Sequence, residues 1–181
     1  YSQKNNKIKY LETKRNNLSV SRNLGLTAAR GEIVVFIDDD ASADPHWLAK
    51  IITCLKQDSN KTVGALGGLV LNEDGSKIQF RNGFVGIWGE VDAVNNTRQN
   101  YNDPKGYYFN TVMGTNSSFR KKALLKVGGF DEEMEYYHEE SDACVRLIKA
   151  GFKVEFTPDA IVYHSYAPSA VRVSASKYKN W

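Results

Sequence analysis

Long apolar runs are missing from this sequence of 181 residues; none approaches the roughly 20 residues needed to span a bilayer. No secretory h-region stands at its start. Membrane attachment is therefore expected only as a peripheral association, made through segments outside this stretch. Charge of one sign is equally scarce. A net charge of +3, with Lys and Arg scattered along the chain, argues against nucleic acid as a partner. A mildly basic surface suits a phosphorylated small molecule or an anionic membrane face. Cysteine is scarcer still. Cys54 and Cys144 stand apart in helix-like contexts without metal-ligand spacing, which argues against a disulfide framework and predicts buried free thiols in a reducing compartment. The expected location is cytoplasmic, with the inner face of the membrane as its boundary case. Internal repeats and low-complexity tracts are absent, and the length supports one ordinary core, read as a single domain over residues 1–181.

What is present is organised around Ile33–Asp40. Five β-branched or aromatic residues, Ile33 to Ile37, follow Gly31 and end in three consecutive carboxylates, Asp38, Asp39 and Asp40. The apolar run predicts a strand buried on both faces, as in a parallel sheet. Ligands of such sheets gather at the carboxyl ends of the strands. Three acids placed there repel one another unless a cation or hydrogen bonds offset them, so a hard divalent metal is the economical explanation. The plain alternative is a solvated acidic turn.

Around this stretch the chain reads as alternating helices and strands. Ile8–Leu11 is a weak strand candidate. Ser19 or Ser21 is expected to cap a helix running to Ala29, with Gly31 at its C′ position. Asp44–Pro45 opens an amphipathic helix over Trp47–Lys56. Val63–Val70 reads as a strand whose glycines signal close backbone approach. Residues 72–108 loosen into a loop or flap region, where short hairpins or a mobile segment both fit the Asp74–Gly75, Asn82–Gly83 and Asp103–Pro104 turns. A strand is expected over Thr111–Arg120, a helix over Lys121–Val127, and another over Ser141–Ala150 capped by Gly151. Two last strands follow at Lys153–Phe156 and Ala160–Tyr163. Residues 167–181 form a tail without a clear signal.

Two further groups carry chemistry. Glu139–Glu140–Ser141–Asp142 precedes Arg146, and Asp142 with Arg146 at i, i+4 pairs on one helix face. In isolation this is an ordinary charged helix start, with acids favoured by the helix dipole. His164 follows a strand-like Ile161–Val162–Tyr163, and a single histidine is more often a surface or core residue than a ligand.

Taken in order, these pieces resemble one family. Arg22–Asn23–Leu24–Gly25, Ala28–Ala29–Arg30–Gly31–Glu32–Ile33 and Phe36–Ile37–Asp38–Asp39–Asp40 look like the central stretch of the inverting family 2 glycosyltransferases with a GT-A fold. Gly128–Gly129–Phe130–Asp131–Glu132 followed by Glu139–Arg146 resembles that family's acceptor-side motif. The similarity runs over about residues 8 to 165, and two motifs about 100 residues apart are more specific than either alone. The resemblance implies an α/β domain, a Rossmann-like, mostly parallel sheet flanked by helices. It implies a nucleotide-diphosphate sugar as donor, a saccharide or lipid-linked acceptor, and Mn²⁺ or Mg²⁺ held by Asp40, Asp38 and His164. Arg22, Asn23, Asp38 and Asp39 fall to donor binding. Glu140 becomes the general base that takes the acceptor proton during a single inverting displacement. Glu139, Asp142 and Arg146 support it, with Arg146 orienting the carboxylates and, together with the helix N-terminus, keeping Glu140 ionised near neutral pH.

Two departures qualify the resemblance. The family opens with a strand, turn and helix that hold the nucleotide base, and nothing before Tyr10 matches them, so the sequence looks truncated at its start. A Glu-Glu pair also stands where the family has Glu-Asp. Two rival readings follow: a degenerate transferase domain that binds a sugar nucleotide or a partner without catalysis, and a phosphatase of the haloacid dehalogenase type, whose Asp-X-Asp motif resembles Asp38–Asp40. The second leaves Gly129–Arg146 without a role.

Overall fold

A computed structural model describes residues 8–94, 100–135 and 137–165. Ile8–Leu11 forms no strand there. The first helix, α1, spans Leu18–Ala28. Its cap is Asn17, not Ser19 or Ser21: Asn17 Oδ1 accepts from the Val20 N–H at 2.9 Å, and both serines already lie within the helix. Ser19, Arg22 and Leu26 form its buried stripe, at the three- and four-residue spacing of one helix face. Gly31 is not the C′ residue, because the helix closes at Ala29 in extended backbone.

Strands β1 (Ile33–Phe36) and β2 (Ala41–Ala43) flank the three acids. Helix α2 spans Trp47–Gln57, entered through Asp44, whose side chain accepts from the His46 N–H at 2.8 Å. The long strand β3 is Val63–Asn72. The loosened region resolves into hairpins: β4 (Ile78–Phe80) folds back on β3, while β5 (Phe84–Gly86), β6 (Val91–Asp92) and β7 (Tyr108–Asn110) form a separate sheet in the order β6-β5-β7. A 3₁₀ turn at Gly114–Asn116 leads into β8 (Ser117–Arg120), so the expected strand over Thr111–Arg120 holds only in its last four residues. Helix α3 is Lys121–Lys126, α4 is Glu139–Lys149, and β9 runs unbroken from Lys153 to His164.

The main sheet has the order β1-β8-β3-β9-β2, with β4 also on β3. Among the described residues only the β3–β9 pair is parallel; β8 runs against both β1 and β3, and β2 against β9. The sheet is therefore mixed, which corrects the mostly parallel expectation. A continuous apolar run reports cover on both faces, not strand direction. β1 is also one of the two outer strands among the described residues, with only Val34 buried in it. Helices do cover both faces. Leu26, Leu124, Leu147 and Ile148 pack with Phe119 and Val154 on one side, and Trp47, Ile51 and Leu55 pack with Leu66, Ala160 and Val162 on the other. Cys144 is buried and Cys54 half-buried, both as free thiols.

The two expected last strands are one strand with a bulge. Gly68 stands opposite Thr157, yet the next residue, Leu69, stands opposite Ile161. Pro158, which has no N–H to give a ladder, lies in the extra segment. Asn116 fills the gap. Its amide donates to the carbonyls of Leu69 at 3.0 Å and Ala160 at 2.9 Å, and its Oδ1 accepts from the Trp47 indole N–H at 2.8 Å. A Cβ at position 68 would collide with both the Ala160 carbonyl and the Asn116 amide, so the glycine there serves close backbone approach, as the sequence predicts for this strand.

Candidate active site

The carboxyl ends of β1 and β9 meet at one end of the main sheet. Ala41 pairs with His164 in the β2–β9 ladder, and the Ser165 N–H donates to the Asp40 carbonyl at 3.0 Å. The ladder thereby brings Asp40 Oδ1 to 3.1 Å from His164 Nε2. Asp38 joins them, with one ligand atom from each of Asp38, Asp40 and His164 lying within 4.8 Å of the others. Asp39 is exposed and outside this group.

Gln79, on β4, fixes the histidine. Its Nε2 donates to the His164 carbonyl at 3.0 Å, which turns its Oε1 towards His164 Nδ1 at 2.8 Å. Nδ1 then carries a proton, and Nε2 faces the Asp40 carboxylate. That contact is favourable with a proton on Nε2 or with a metal ion held between the two groups. The donor set of two carboxylates and an imidazole oriented through its other nitrogen fits a divalent metal of the Mn²⁺ type.

The acceptor-side acids sit at the same end. α4 begins at Glu139, two residues earlier than expected, so Glu139, Glu140 and Asp142 all lie in its first turn. Tyr137 and His138 precede it with positive φ angles of 82° and 66°, a backbone region that non-glycine residues seldom enter. Glu139 is 1% exposed and pairs with the guanidinium of Arg22 on α1, itself 7% exposed. The same guanidinium lies 3.8 Å from Glu140 and 3.6 Å from Asp38.

Three site expectations change. Arg146 does not orient the Glu139–Glu140 pair: it bonds to Asp142 at 2.7 Å and to the Val127 carbonyl, holding α4 to the end of α3. Its i, i+4 partner is closer than the helix start can be. Asn23 has its amide engaged by the Phe130 backbone in both directions, at 2.8 and 2.9 Å, and by Glu132 at 3.2 Å. Its amide is committed to bracing the loop before α4, where a side chain free to face a donor was expected. The third change is the charge of Glu140. Burial, and then the neighbouring Glu139 carboxylate, push its carboxyl up to about 8, and the pull of Arg22 offsets them only in part. The expectation of an ionised Glu140 at neutral pH counted the helix N-terminus and a distant arginine but neither of these larger effects. Burial likewise raises the Asp38 carboxyl, against the pull of Arg22 and His164.

A pH dependence of stability follows. Below about pH 4.5, the ordinary value, Glu140 holds its proton in folded and unfolded chains alike. Between there and about 8 the unfolded chain has released the proton and the folded one has not, so stability falls as pH rises through this window. Thermal unfolding of the metal-free protein should show that fall, and Glu140→Gln should flatten it; an unchanged slope in the variant would refute the shift.

Gln79, Gly114 and Asn116 had no signal in the sequence. Arg22 had one: an arginine on the buried stripe of an amphipathic helix requires anions in the core.

The Glycosyl transferase family 2 profile matches residues 1–128, and a second profile, described as the N-terminal domain of galactosyltransferase, matches residues 97–168. A glucosyl-dolichyl phosphate glucuronosyltransferase from Haloferax volcanii is 26% identical over 164 residues, covering 81% of this chain and 47% of that protein. An N-acetylglucosaminyl-diphospho-decaprenol L-rhamnosyltransferase from Mycobacterium tuberculosis is 30% identical over 150 residues, covering 75% of this chain and 49% of that protein. The chain thus spans about half the length of these curated relatives. Among solved structures, GalNAc-T7 with UDP, GalNAc and Mn²⁺ superposes with a TM-score of 0.64 at 17% identity, over 87% of this chain and 32% of that one. The mannosyltransferase PcManGT from Pyrobaculum calidifontis, in complex with GDP-Man and Mn²⁺, superposes at 0.57 with 20% identity, over 92% of this chain and 40% of that one. At these identities the superpositions establish the GT-A fold.

Proposed function

The chain belongs to glycosyl transferase family 2, and on that premise we propose that it moves a sugar from a nucleotide-diphosphate donor to an acceptor hydroxyl, with inversion at the anomeric carbon. The observation that carries this reading is the meeting of two motifs at one end of the sheet: Asp38, Asp40 and His164 as a cation site, and the α4 acids reached from it through Arg22. Membership leaves the phosphatase reading of Asp38–Asp40 without support.

In this proposal Asp38, Asp40 and His164 hold Mn²⁺, which an imidazole ligand favours over Mg²⁺. A bound divalent cation there supplies neutralisation of the charge that develops on the departing diphosphate. Gln79 keeps the His164 lone pair directed at the site. Glu140, whose side chain is 19% exposed while that of Glu139 is 2% exposed, is the acid that an incoming hydroxyl can reach. It accepts the acceptor's proton as the oxygen attacks the face opposite the leaving group. Glu139 stays paired with Arg22 and serves structure. Asp142 and Arg146 keep the first turn of α4 anchored to the end of α3. The haloarchaeal and mycobacterial relatives, whose names carry dolichyl and decaprenol, support a saccharide or lipid-linked acceptor.

The test is a calorimetric Mn²⁺ titration. Asp40→Asn keeps the shape and removes the charge a hard cation needs. Its loss of affinity should exceed that of Gln79→Leu, for which the loss of an orienting partner predicts about 10–100-fold. Unchanged binding in Asp40→Asn would overturn the metal site. Within the described residues no helix is long and apolar enough to cross a membrane.

A further inference from the structure

Resting on the reading of Glu140 as general base, we propose that Arg22 is a positioning residue of the reaction: its guanidinium locks the Glu139–Glu140 pair to Asp38, so that proton acceptor and donor-side carboxylate move as one unit. Both acids of the pair and Asp38 face the same buried cation, Glu139 in direct contact and the other two at 3.8 and 3.6 Å.

The slot that holds it is shaped for a flat group. The Phe36 and Phe130 ring centroids lie 5.9 and 5.6 Å from the guanidinium carbon, within the range of cation–π attraction. Gly114 leaves the remaining space, since a Cβ there would collide with the guanidinium. A lysine ammonium has neither the planar fork nor the breadth to span three carboxylates from this slot. The helix carrying Arg22 cannot drift. Its first turn is tied to the loop before α4, with the Leu18 N–H donating to the Glu135 carbonyl at 3.0 Å, Ser19 Oγ to the Met134 carbonyl at 2.6 Å and Asn17 Nδ2 to the Glu132 carbonyl at 2.9 Å. One rigid frame therefore fixes the base relative to the cation site, which is the geometry that positioning catalysis requires.

The experiment is a kinetic cycle on the full-length protein, read as Mn²⁺-dependent nucleotide release from UDP-glucose, UDP-N-acetylglucosamine and GDP-mannose. Gly114→Ala displaces the guanidinium without removing a charge or altering a group that touches substrate, and Arg22→Lys tests the fork itself. Each should lower kcat about tenfold or more with little change in donor KM, and each should cost less than about twofold further when combined with Glu140→Gln, as expected of residues that act as a unit. If Arg22→Lys does not fold, Gly114→Ala, which retains both charged side chains of the buried pair, decides alone. Effects that multiply with an impairing Glu140→Gln would overturn positioning and leave the base reading standing. A fully active Glu140→Gln, or no release from any of the three donors, would overturn the base reading and this proposal with it.

Discussion

Replacing Glu140 by Gln in the full-length protein is expected to lower kcat by about 10²–10⁴-fold, the usual contribution of a general base, with donor affinity little changed. Gln keeps the size of the side chain and most of its hydrogen bonding but cannot accept the proton. The raised carboxyl of Glu140, at about 8, adds a second signature. kcat/KM reports the ionisation of free enzyme, so in the wild type it should climb with pH towards about 8, and the variant should lose that limb. Glu139→Gln is the companion measurement. Glu139 is buried against Arg22, so weakening that pair should show mainly in unfolding experiments, because breaking a buried ion pair leaves an uncompensated charge. If Glu139→Gln silences turnover and Glu140→Gln does not, the roles of the two acids are exchanged. If neither matters to turnover, a group other than these two acids accepts the proton.

The second large effect is on stability. Asn116→Ala should destabilise the fold by about 3–5 kcal/mol, measured by urea denaturation, because it strands three groups at once, two of them buried, at about 1–3 kcal/mol for each unsatisfied buried group. These are the Trp47 indole N–H and the carbonyls of Leu69 and Ala160. Trp47→Phe, which removes one of the three bonds, should cost less. The Ala160 carbonyl belongs to the bulge four residues before His164, so Asn116→Ala should also weaken Mn²⁺ binding. A loss below about 1 kcal/mol would mean that water replaces the amide.

How far the sequence could be read depended on whether the deciding interaction was local. An apolar run ending in acids announces a strand delivering carboxylates to a sheet end, and Asp38–Asp40 lie there. Helices α2 and α4 were visible through periodicity and flanking turn residues. Strand direction was not, because the reversal of β8 depends on the irregular path through Val112–Asn116. His164 became a candidate through family resemblance, since its approach to Asp40 depends on the β2–β9 register. Local reasoning went wrong where distant charges compete. Arg146 looked like the cation for the α4 acids because it is near them in sequence, whereas that role falls to Arg22, brought in by the docking of α1. The charge of Glu140 depended on burial and the adjacent Glu139, effects that outweigh a helix dipole and appear only once the helix start is packed.

The placement of β9 has a consequence for how the molecule is made. It lies between β3 and β2, two strands synthesised some 80 residues or more before it, and its pairing with β3 is parallel. Until residue 164 has emerged from the ribosome, the β2 and β3 edges that it joins are open. Such long-range closure is slow and leaves unpaired edges exposed to other chains. Since the same strand delivers His164, the proposed Mn²⁺ site should form only once β9 has joined the sheet. Mn²⁺ binding during refolding would therefore time the docking of β9, and nascent chains stalled before β9 should need a chaperone.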